Sequence, residues 1–215
     1  KQRNPMRTQL RKILGLSASV LLLAGSNTWA AQTLEYSIRW NSSDARYHVY
    51  MRPTTTPNPD RSMTGQVTIV VPHLTGTSAF SPVALKSTVT NTLWADNSRV
   101  DAPKENSNAD YISFSLSYAK ADTFVWKANE EKEVFSFDNS GTCPGPIVIM
   151  NHDSDPFNKI PNSVNTNPGN QFTNLGWGDS SDNNFLRTYG YAADCRDMDK
   201  DGISDTEEIA IGTDP

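Results

Sequence analysis

The residues near the end of the chain are the ones whose types and spacing most clearly indicate a chemistry. The segment 197–208 reads DMDKDGISDTEE, with carboxylates at its positions 1, 3, 5, 9 and 12, glycine at position 6 and an apolar residue at position 7. Ca²⁺ takes about six to eight oxygen ligands, which a short loop supplies only by curling around the ion. The spacing therefore predicts a calcium-binding loop.

Six residues form the predicted ligand set: Asp197, Asp199, Asp201, Ile203, Asp205 and Glu208. The three aspartates at the start converge on the ion, and Gly202 permits the sharp turn that a residue with a Cβ resists. Ile203 offers its backbone carbonyl, Asp205 binds directly or through water, and Glu208 closes the site with both oxygens. The alternative interpretation is an acidic turn without a metal, since aspartate and glycine favour turns.

A short helix is predicted to follow the loop. Ser204 and Glu207 have the spacing of a capping box, in which each residue satisfies a free N–H group of the other. Residues 207–211 then form little more than one helical turn, and Gly212 ends it. The tail of the chain is thus predicted as a loop followed by a helix.

The residues before the loop, 189–195, show no helical pattern, so the segment is not an ordinary EF-hand with two full helices. The loop, the Glu-Glu helix and the closing Gly-Thr-Asp-Pro of residues 212–215 together resemble thrombospondin type-3 and bacterial EF-hand-like calcium repeats. The resemblance covers residues 194–215. It implies that such units recur in tandem, so we expect the chain to belong to a longer array.

Residues 1–30 are interpreted as leader residues followed by a secretory signal peptide. A basic region after Met6, an apolar run over residues 13–24 and a small-residue exit at residues 28–30 place the cleavage after Ala30. A membrane anchor is the weaker alternative, because the run is shorter than the ~20 apolar residues of a span. The sequence predicts a bacterial protein that is secreted or held at the cell surface and is not transmembrane.

The exported part of the chain is strongly acidic. Five of the 19 basic residues and none of the 24 acidic residues lie in positions 1–30, which leaves a net charge of −10 for the remainder. Residues 194–215 alone carry eight acidic and two basic side chains. Nucleic acid is excluded as a partner on this basis, because phosphates require positive charge.

Two cysteines, Cys143 and Cys195, remain after the predicted cleavage. An even count in an oxidising compartment favours a disulfide, which would fasten the calcium loop to the preceding domain. Two free thiols are the alternative. A metal-binding pair is disfavoured, because no histidine or further cysteine lies at ligand spacing from either residue.

The body of the chain, residues 32–193, is long enough for one domain with a full core, and its pattern is that of short strands between turns. The predicted strands are 34–40, 47–52, 66–71, 89–94, 111–118, 124–127, 134–137 and 147–150, with a polar loop over 96–108. The predicted fold class is mainly β, a two-sheet sandwich followed by a short calcium-binding loop-helix tail.

Five short stretches of the body carry a second resemblance: 111–114, 133–137, the turn at Cys143, 153–157 and 169–171. They are similar to cohesin-like or immunoglobulin-like extracellular sandwich domains of large surface proteins in Bacteroidetes-like bacteria. The resemblance implies an adhesive or scaffolding role, and it carries no catalytic residues.

Three further features leave alternatives open. Asp153 and Asp155 follow a strand and fit either a second oxygen-rich metal site or a plain turn. Trp177 lies between two glycines and is the best candidate for an exposed, ligand-stacking aromatic ring, whereas the tryptophans within strand patterns are predicted to pack in the core. The Asn- and Pro-rich stretch 156–182 is a candidate binding loop.

The sequence thus predicts a calcium-binding structural or adhesion protein without enzymatic activity. Its partner would be an extracellular protein or polysaccharide, and assembly with further copies of the chain is left open. No motif assigns a catalytic residue, because no serine lies in a nucleophile-elbow pattern. The alternative is a carbohydrate-binding module or a divergent secreted glycan hydrolase.

Overall fold

The structure is a computed structural model that describes residues 32–199 and 203–215; the predicted signal peptide and Asp201 lie outside these ranges. Within them the chain forms ten strands and one α-helix. The elements are β1 (Leu34–Asn41), β2 (Arg46–Pro53), β3 (Ser62–Pro72), β4 (Pro82–Ser87), β5 (Thr92–Asp101), β6 (Ala109–Ala119), β7 (Lys132–Asn139), β8 (Val148–Ile149), β9 (Gln171–Asn174), β10 (Phe185–Thr188) and α1 (Asp205–Ile211).

The strands form two sheets of five. The first has the order β10-β1-β2-β7-β4, and the second has the order β5-β6-β3-β8 with β9 also paired to β3. Neighbouring strands are antiparallel except β1 and β10, which run parallel. The prediction of a mainly β chain built from two packed sheets is confirmed.

Alternating side chains build the core between the sheets. Tyr47 and Val49 lie on the inward face of β2 and are almost fully buried, as the period of two predicts. Phe114 of the second sheet packs against Phe135 and Phe137 of the first, with ring centroids 5.1 and 4.9 Å apart. These contacts join the sheets, since burial of each large apolar side chain contributes about 1.5–3 kcal/mol.

Strand β5 departs from the prediction of a polar loop over residues 96–108. It continues to Asp101, where it pairs with Asp110 of β6. β5 lies at the edge of its sheet, so many of its side chains face solvent and can be polar without harm to the core. Arg99 also connects β5 to β6, because its Nη2 donates to the buried carboxylate of Asp110 at 2.8 Å.

The predicted strand at residues 124–127 is wrong. Val125 has a φ of 50°, which an extended strand does not allow. The turn directs both Phe124 and Trp126 inward, where their rings stack 4.8 Å apart. Trp126 was correctly expected to pack in the core, but it does so from a loop.

The Asn-rich stretch 156–182 is largely tied to the body and is not a free binding loop. It contains strand β9, and several of its asparagines are buried. The side chain of Asn170 accepts from the N–H of Thr68 and donates to the carbonyl of Met150, both at 2.8 Å. Side-chain amides thus satisfy backbone groups where strand pairing is absent.

The disulfide between Cys143 and Cys195 is present, with 5.8 Å between the two Cα atoms, so the predicted pairing is confirmed. Two residues before Cys195, the backbone of Ala193 exchanges both of its hydrogen bonds with Ile147 at 2.9 Å. A covalent bond and a backbone bridge therefore hold the chain against the body immediately before the tail.

Replacing both cysteines by serine should lower the free energy of unfolding by about 4 kcal/mol. The bond spans 52 residues, and its loss restores the corresponding loop entropy to the unfolded chain. Urea unfolding of the oxidised protein and of the double variant measures the difference. A reducing agent should destabilise the wild type alone, and a difference below about 1 kcal/mol would contradict the entropic estimate.

His152 is held as a neutral acceptor. Its Nε2 accepts the N–H of Asn170 at 2.6 Å, and its ring lies 4.5 Å from that of Phe185. Burial lowers the pKa of His152 below its ordinary value, although the neighbouring Asp153 opposes this. Protonation of Nε2 would turn this acceptor into a donor, which would then face the N–H donor of Asn170.

The stability of the protein should consequently fall in mild acid. Between the lowered folded pKa and the value of 6.5, the unfolded chain binds more protons at His152 than the folded protein does. The contribution of neutral His152 to the free energy of unfolding is therefore complete above about pH 6.5. It is lost as the pH falls toward the pKa of His152 in the folded protein. Urea unfolding between about pH 8 and pH 5 should show a shallower decline for His152→Gln than for the wild type. Equal slopes would contradict this role.

Candidate metal centre

The end of β10 brings the chain to the predicted calcium loop. Thr188 is the last residue of β10, and the N–H of Tyr189 still donates to the carbonyl of Tyr36 on β1 at 2.9 Å. The chain then leaves the first sheet and reaches Ala193, which pairs with Ile147 beside the second sheet. The tail therefore starts between β10, at the edge of the first sheet, and β8, at the end of the strand order in the second sheet.

Asp194 connects the two arms of the loop. Its carboxylate is fully buried and accepts from the Nε of Arg196 at 3.0 Å and from the hydroxyl of Thr206 on α1 at 2.7 Å. Burial opposes ionisation of this carboxyl group, but the hydrogen bonds from Arg196 and Thr206 outweigh it and hold the pKa of Asp194 below its ordinary value. A charged Asp194 thus joins the body, the start of the loop and the helix.

Two hydrogen bonds close the loop that follows Asp194. The carbonyl of Arg196 accepts the N–H of Asp205 at 3.1 Å, and the carboxylate of Asp205 accepts the N–H of Met198 at 2.8 Å. The first and last parts of segment 197–208 therefore lie side by side. Asp201, a further predicted ligand, lies outside the described residues, so the calcium ligand set stays a prediction.

Helix α1 has the predicted caps. The side chain of Ser204 accepts from the N–H of Glu207 at 3.4 Å, and Gly212 ends the helix with a φ of 81° while its N–H donates to the carbonyl of Glu208. The helix begins at Asp205, two residues earlier than the pattern predicts. Its first turn is acidic, which the partial positive charge of a helix N-terminus favours.

Helix α1 buries a carboxylate and exposes its apolar residues. Glu208 is 1% exposed, whereas Ile209 is 70% and Ile211 is 50% exposed. Burial of apolar surface would turn the helix the other way. The orientation of α1 therefore does not follow from burial of its apolar residues. Polar contacts accompany it: the hydroxyl of Thr206 donates to Asp194 at 2.7 Å, and that of Thr213 lies 3.5 Å from Glu208.

The predicted ligands have different exposures. Asp205 and Glu208 lie on α1, Ile203 lies just before it, and Asp197 and Asp199 lie on the other arm. Glu208 is buried, Asp199 is exposed, and the remaining described ligands are half-buried. All of them offer oxygen, which is the donor that calcium prefers.

A different cluster is apparent from distances alone. Among the described residues, Cys143, Asp194 and Cys195 form the one group of three potential metal ligands, with the ligand atoms within 4.8 Å of one another. Both sulfurs belong to the disulfide, so neither is a thiolate. Asp194 is already engaged by Arg196 and Thr206. This cluster is structural.

The second predicted oxygen-rich site has the geometry of a turn. Both carboxylate oxygens of Asp155 accept the phenol of Tyr111, at 2.8 and 3.0 Å, and one of them also caps the N–H of Phe157. Asn151 accepts the N–H of Asp153 and so forms the preceding turn. Asp155 thus fixes the chain after β8.

Trp177 is not the exposed aromatic residue that the sequence predicts. It is 7% exposed, its indole N–H donates to the carbonyl of Thr55 at 3.0 Å, and its ring packs near Trp126 and Phe172. Trp94 and Trp126 are buried as predicted, while Trp40 is only partly buried. The accessible tryptophan of the described chain is therefore Trp40.

Sequence reasoning also missed Asp194 and Thr206 as the residues that hold the loop. Twelve residues separate them, and no helical or strand period relates a loop residue to a residue of the following helix. The one sequence feature that pointed to Asp194 was its position next to Cys195. The predicted disulfide at Cys195 indicated that the tail is attached to the body there.

No protein family, no curated protein and no solved structure was found to match this chain. The resemblances to calcium repeats and to extracellular sandwich domains therefore stay predictions. In residues 32–199 and 203–215 there is no helix of the length and apolarity needed to cross a membrane.

Replacing Asp194 by asparagine should loosen the tail from the body. The variant keeps the shape of the side chain and loses its charge, and a buried hydrogen bond to a charged group contributes about 1.5–3 kcal/mol. Because Arg196 is half exposed, we expect the lower end of this range. Amide hydrogen exchange in α1 should then be about ten-fold faster, while exchange in β2 and β6 stays unchanged.

Asp179→Asn is the matched control, because Asp179 is exposed and lies outside the tail. It should leave exchange in α1 at the wild-type rate. Equal exchange in α1 for Asp194→Asn and for the wild type would show that the carboxylate does not hold the tail.

Proposed function

We propose that this chain is a secreted or cell-surface structural or adhesion protein whose acidic tail binds calcium. The observation that carries the proposal is the inward orientation of Glu208 on a helix whose isoleucines face solvent. A buried carboxylate requires compensating charge or hydrogen bonds. The hydroxyl of Thr213 lies 3.5 Å from one Glu208 oxygen, and a calcium ion between the arms of the loop would add positive charge beside it.

The charge of the tail supports the same conclusion. Residues 194–215 carry eight acidic and two basic side chains, so the loop repels itself unless a cation is bound. Extracellular calcium modules bind at about 10⁻⁴–10⁻³ M. At a free calcium concentration about twenty times the Kd, binding would stabilise the ordered tail by about 1.8 kcal/mol.

The attachment of the tail makes that stabilisation relevant to the whole chain. The disulfide and the buried Asp194 connect the loop to the edge of both sheets, so ordering of the loop restricts its motion relative to the body. In this proposal the body is a β-sandwich, the tail is a stiff calcium-bound connection, and the partner is an extracellular protein or polysaccharide. The disulfide is compatible with an extracellular location.

A calcium titration of residues 31–215 in the oxidised form tests this proposal. Calorimetry should show one saturable site with a Kd of about 10⁻⁴–10⁻³ M, and saturating calcium should raise the melting temperature by about 4–7 °C. Glu208→Gln should abolish both effects, since it removes the predicted bidentate ligand. The fold of this variant is checked by its far-ultraviolet circular dichroism.

Asp214→Asn provides the control for general electrostatics, because it removes one acidic charge from the exposed end of the tail. It should retain both the calcium affinity and the shift in melting temperature. Equal loss of affinity in Asp214→Asn and Glu208→Gln would indicate nonspecific attraction to an acidic segment. The absence of wild-type binding at several millimolar calcium would refute the calcium proposal.

A further inference from the structure

A recess lies beside Trp40 near the end of β1. Trp40 and Ile38 of β1 form one wall, Tyr191 forms part of the opposite wall, and Ser204 and Glu207 of the tail border it. The cavity volume is about 150 Å³. We call this feature the Trp40 recess. It is separate from the predicted calcium ligands.

The recess exists because β10 is shorter than β1. Pairing between them ends at Tyr36 and Thr188, and the following segment 189–193 crosses toward Ile147. The part of β1 beyond Tyr36 therefore has a strand neighbour on its β2 side alone. The gap between this edge and the crossing segment is the recess.

The backbone of β1 presents hydrogen-bonding groups toward this gap. The carbonyl of Tyr36 accepts from Tyr189, so the backbone groups of Tyr36 point away from β2. Along an antiparallel strand these directions alternate, so the groups of Ile38 and Trp40 point the same way. Among the described residues, segment 190–193 donates no backbone hydrogen bond to either of them.

Aromatic surface lies next to these groups. The ring of Trp40 is partly buried and rests against that of Tyr47, with 4.8 Å between the centroids. Tyr191 is 50% exposed on the opposite wall. Two polar residues of the tail, Ser204 and Glu207, line the border of the recess. The recess thus combines flat apolar rings with donors and acceptors.

This combination suits a sugar ring, which has apolar C–H faces and a rim of hydroxyl groups. Aromatic rings bind the faces, and backbone groups, Ser204 and Glu207 can bind the hydroxyls. An added peptide strand fits less well, because the part of β1 beyond Tyr36 is short and faces the gap with the backbone groups of Ile38 and Trp40 alone. The volume suits one ring of a longer glycan, with the other units in solvent.

We propose that the Trp40 recess is a saccharide-binding site that takes one ring of an extracellular glycan. Trp40 and Tyr191 stack on the ring, and the backbone of Trp40 with Glu207 binds its hydroxyls. The walls formed by β1 and segment 190–193 belong to the body and do not depend on calcium. The Ser204 and Glu207 border rests on the proposed calcium function, because calcium would order α1.

The first test measures binding of defined oligosaccharides to residues 31–215 in calcium. The probes are hexamers of β-1,4-linked glucose, xylose and N-acetylglucosamine, followed by an array of plant and microbial cell-wall glycans. Tyr191→Ala should weaken binding about 3- to 10-fold, the fold-change expected from a lost aromatic contact. Tyr118→Ala is the matched control, since Tyr118 is 55% exposed on the other sheet and should not affect binding.

Trp40 is tested with two variants, because its ring also packs on Tyr47. Trp40→Phe keeps an aromatic ring and should retain part of the affinity, whereas Trp40→Ala should lose about 10-fold or more. Thermal melting of both variants identifies a loss that comes from unfolding. Binding that is equal in the wild type, Tyr191→Ala and Trp40→Phe would place the saccharide elsewhere and overturn the proposal.

The two proposals fail separately. Glu208→Gln should lose calcium binding and keep detectable saccharide affinity, because the body walls of the recess persist. Saccharide binding without calcium binding in the wild type would refute the calcium function and leave the recess supported. Calcium binding with no affinity for any probe or array glycan would refute the saccharide site.

Discussion

The buried carboxylate of Asp194 is the interaction on which the arrangement of the tail depends. It lies between a backbone bridge to the body and a disulfide, and it reaches both Arg196 and Thr206. A charge in this position is stable because donors from both arms of the loop surround it. If Asp194 were apolar, the loop and α1 would lose the buried contact that connects Arg196 and Thr206 to the body.

The body and the tail are ordered by opposite kinds of chemistry. Between the sheets, aromatic residues such as Phe114 and Phe137 are excluded from water, and the strands follow from that burial. In α1, Glu208 turns inward while Ile209 remains in solvent. A helix of seven residues with that orientation has little hydrophobic stabilisation, so its order depends on capping and on ionic interactions of the loop.

The two proposed sites share one structural cause. β10 is four residues long and β1 is eight, so the chain must leave the first sheet before β1 ends. That departure carries the chain to Asp194 and the loop, and it also leaves the backbone of Trp40 facing a recess. The calcium proposal and the saccharide proposal therefore concern neighbouring surfaces with different chemistry. One offers carboxylates to a cation and the other offers rings and backbone groups to a sugar.

Features that depend on local spacing or on residue counts were predictable from the sequence. Alternation predicted β1, β2 and β6, the capping residues predicted α1, and an even number of cysteines predicted the disulfide. These features can be recognised without a structure, because strand alternation and helix capping are properties of short segments and the cysteine count is a property of composition. The carboxylate spacing of 197–208 likewise determined the calcium hypothesis, and the structure adds the closure of the loop and the burial of Glu208.

Other features depend on neighbours that are distant in sequence and become apparent only in the folded chain. β5 is a strand despite its polar residues because β6 pairs with it, and Phe124 packs from a loop because Val125 turns the backbone. Trp177 is buried because it packs near Trp126 and donates to the carbonyl of residue 55, whereas Trp40, near the end of β1, is only partly buried against Tyr47. Burial at each of these positions is set by partners that local periodicity does not encode.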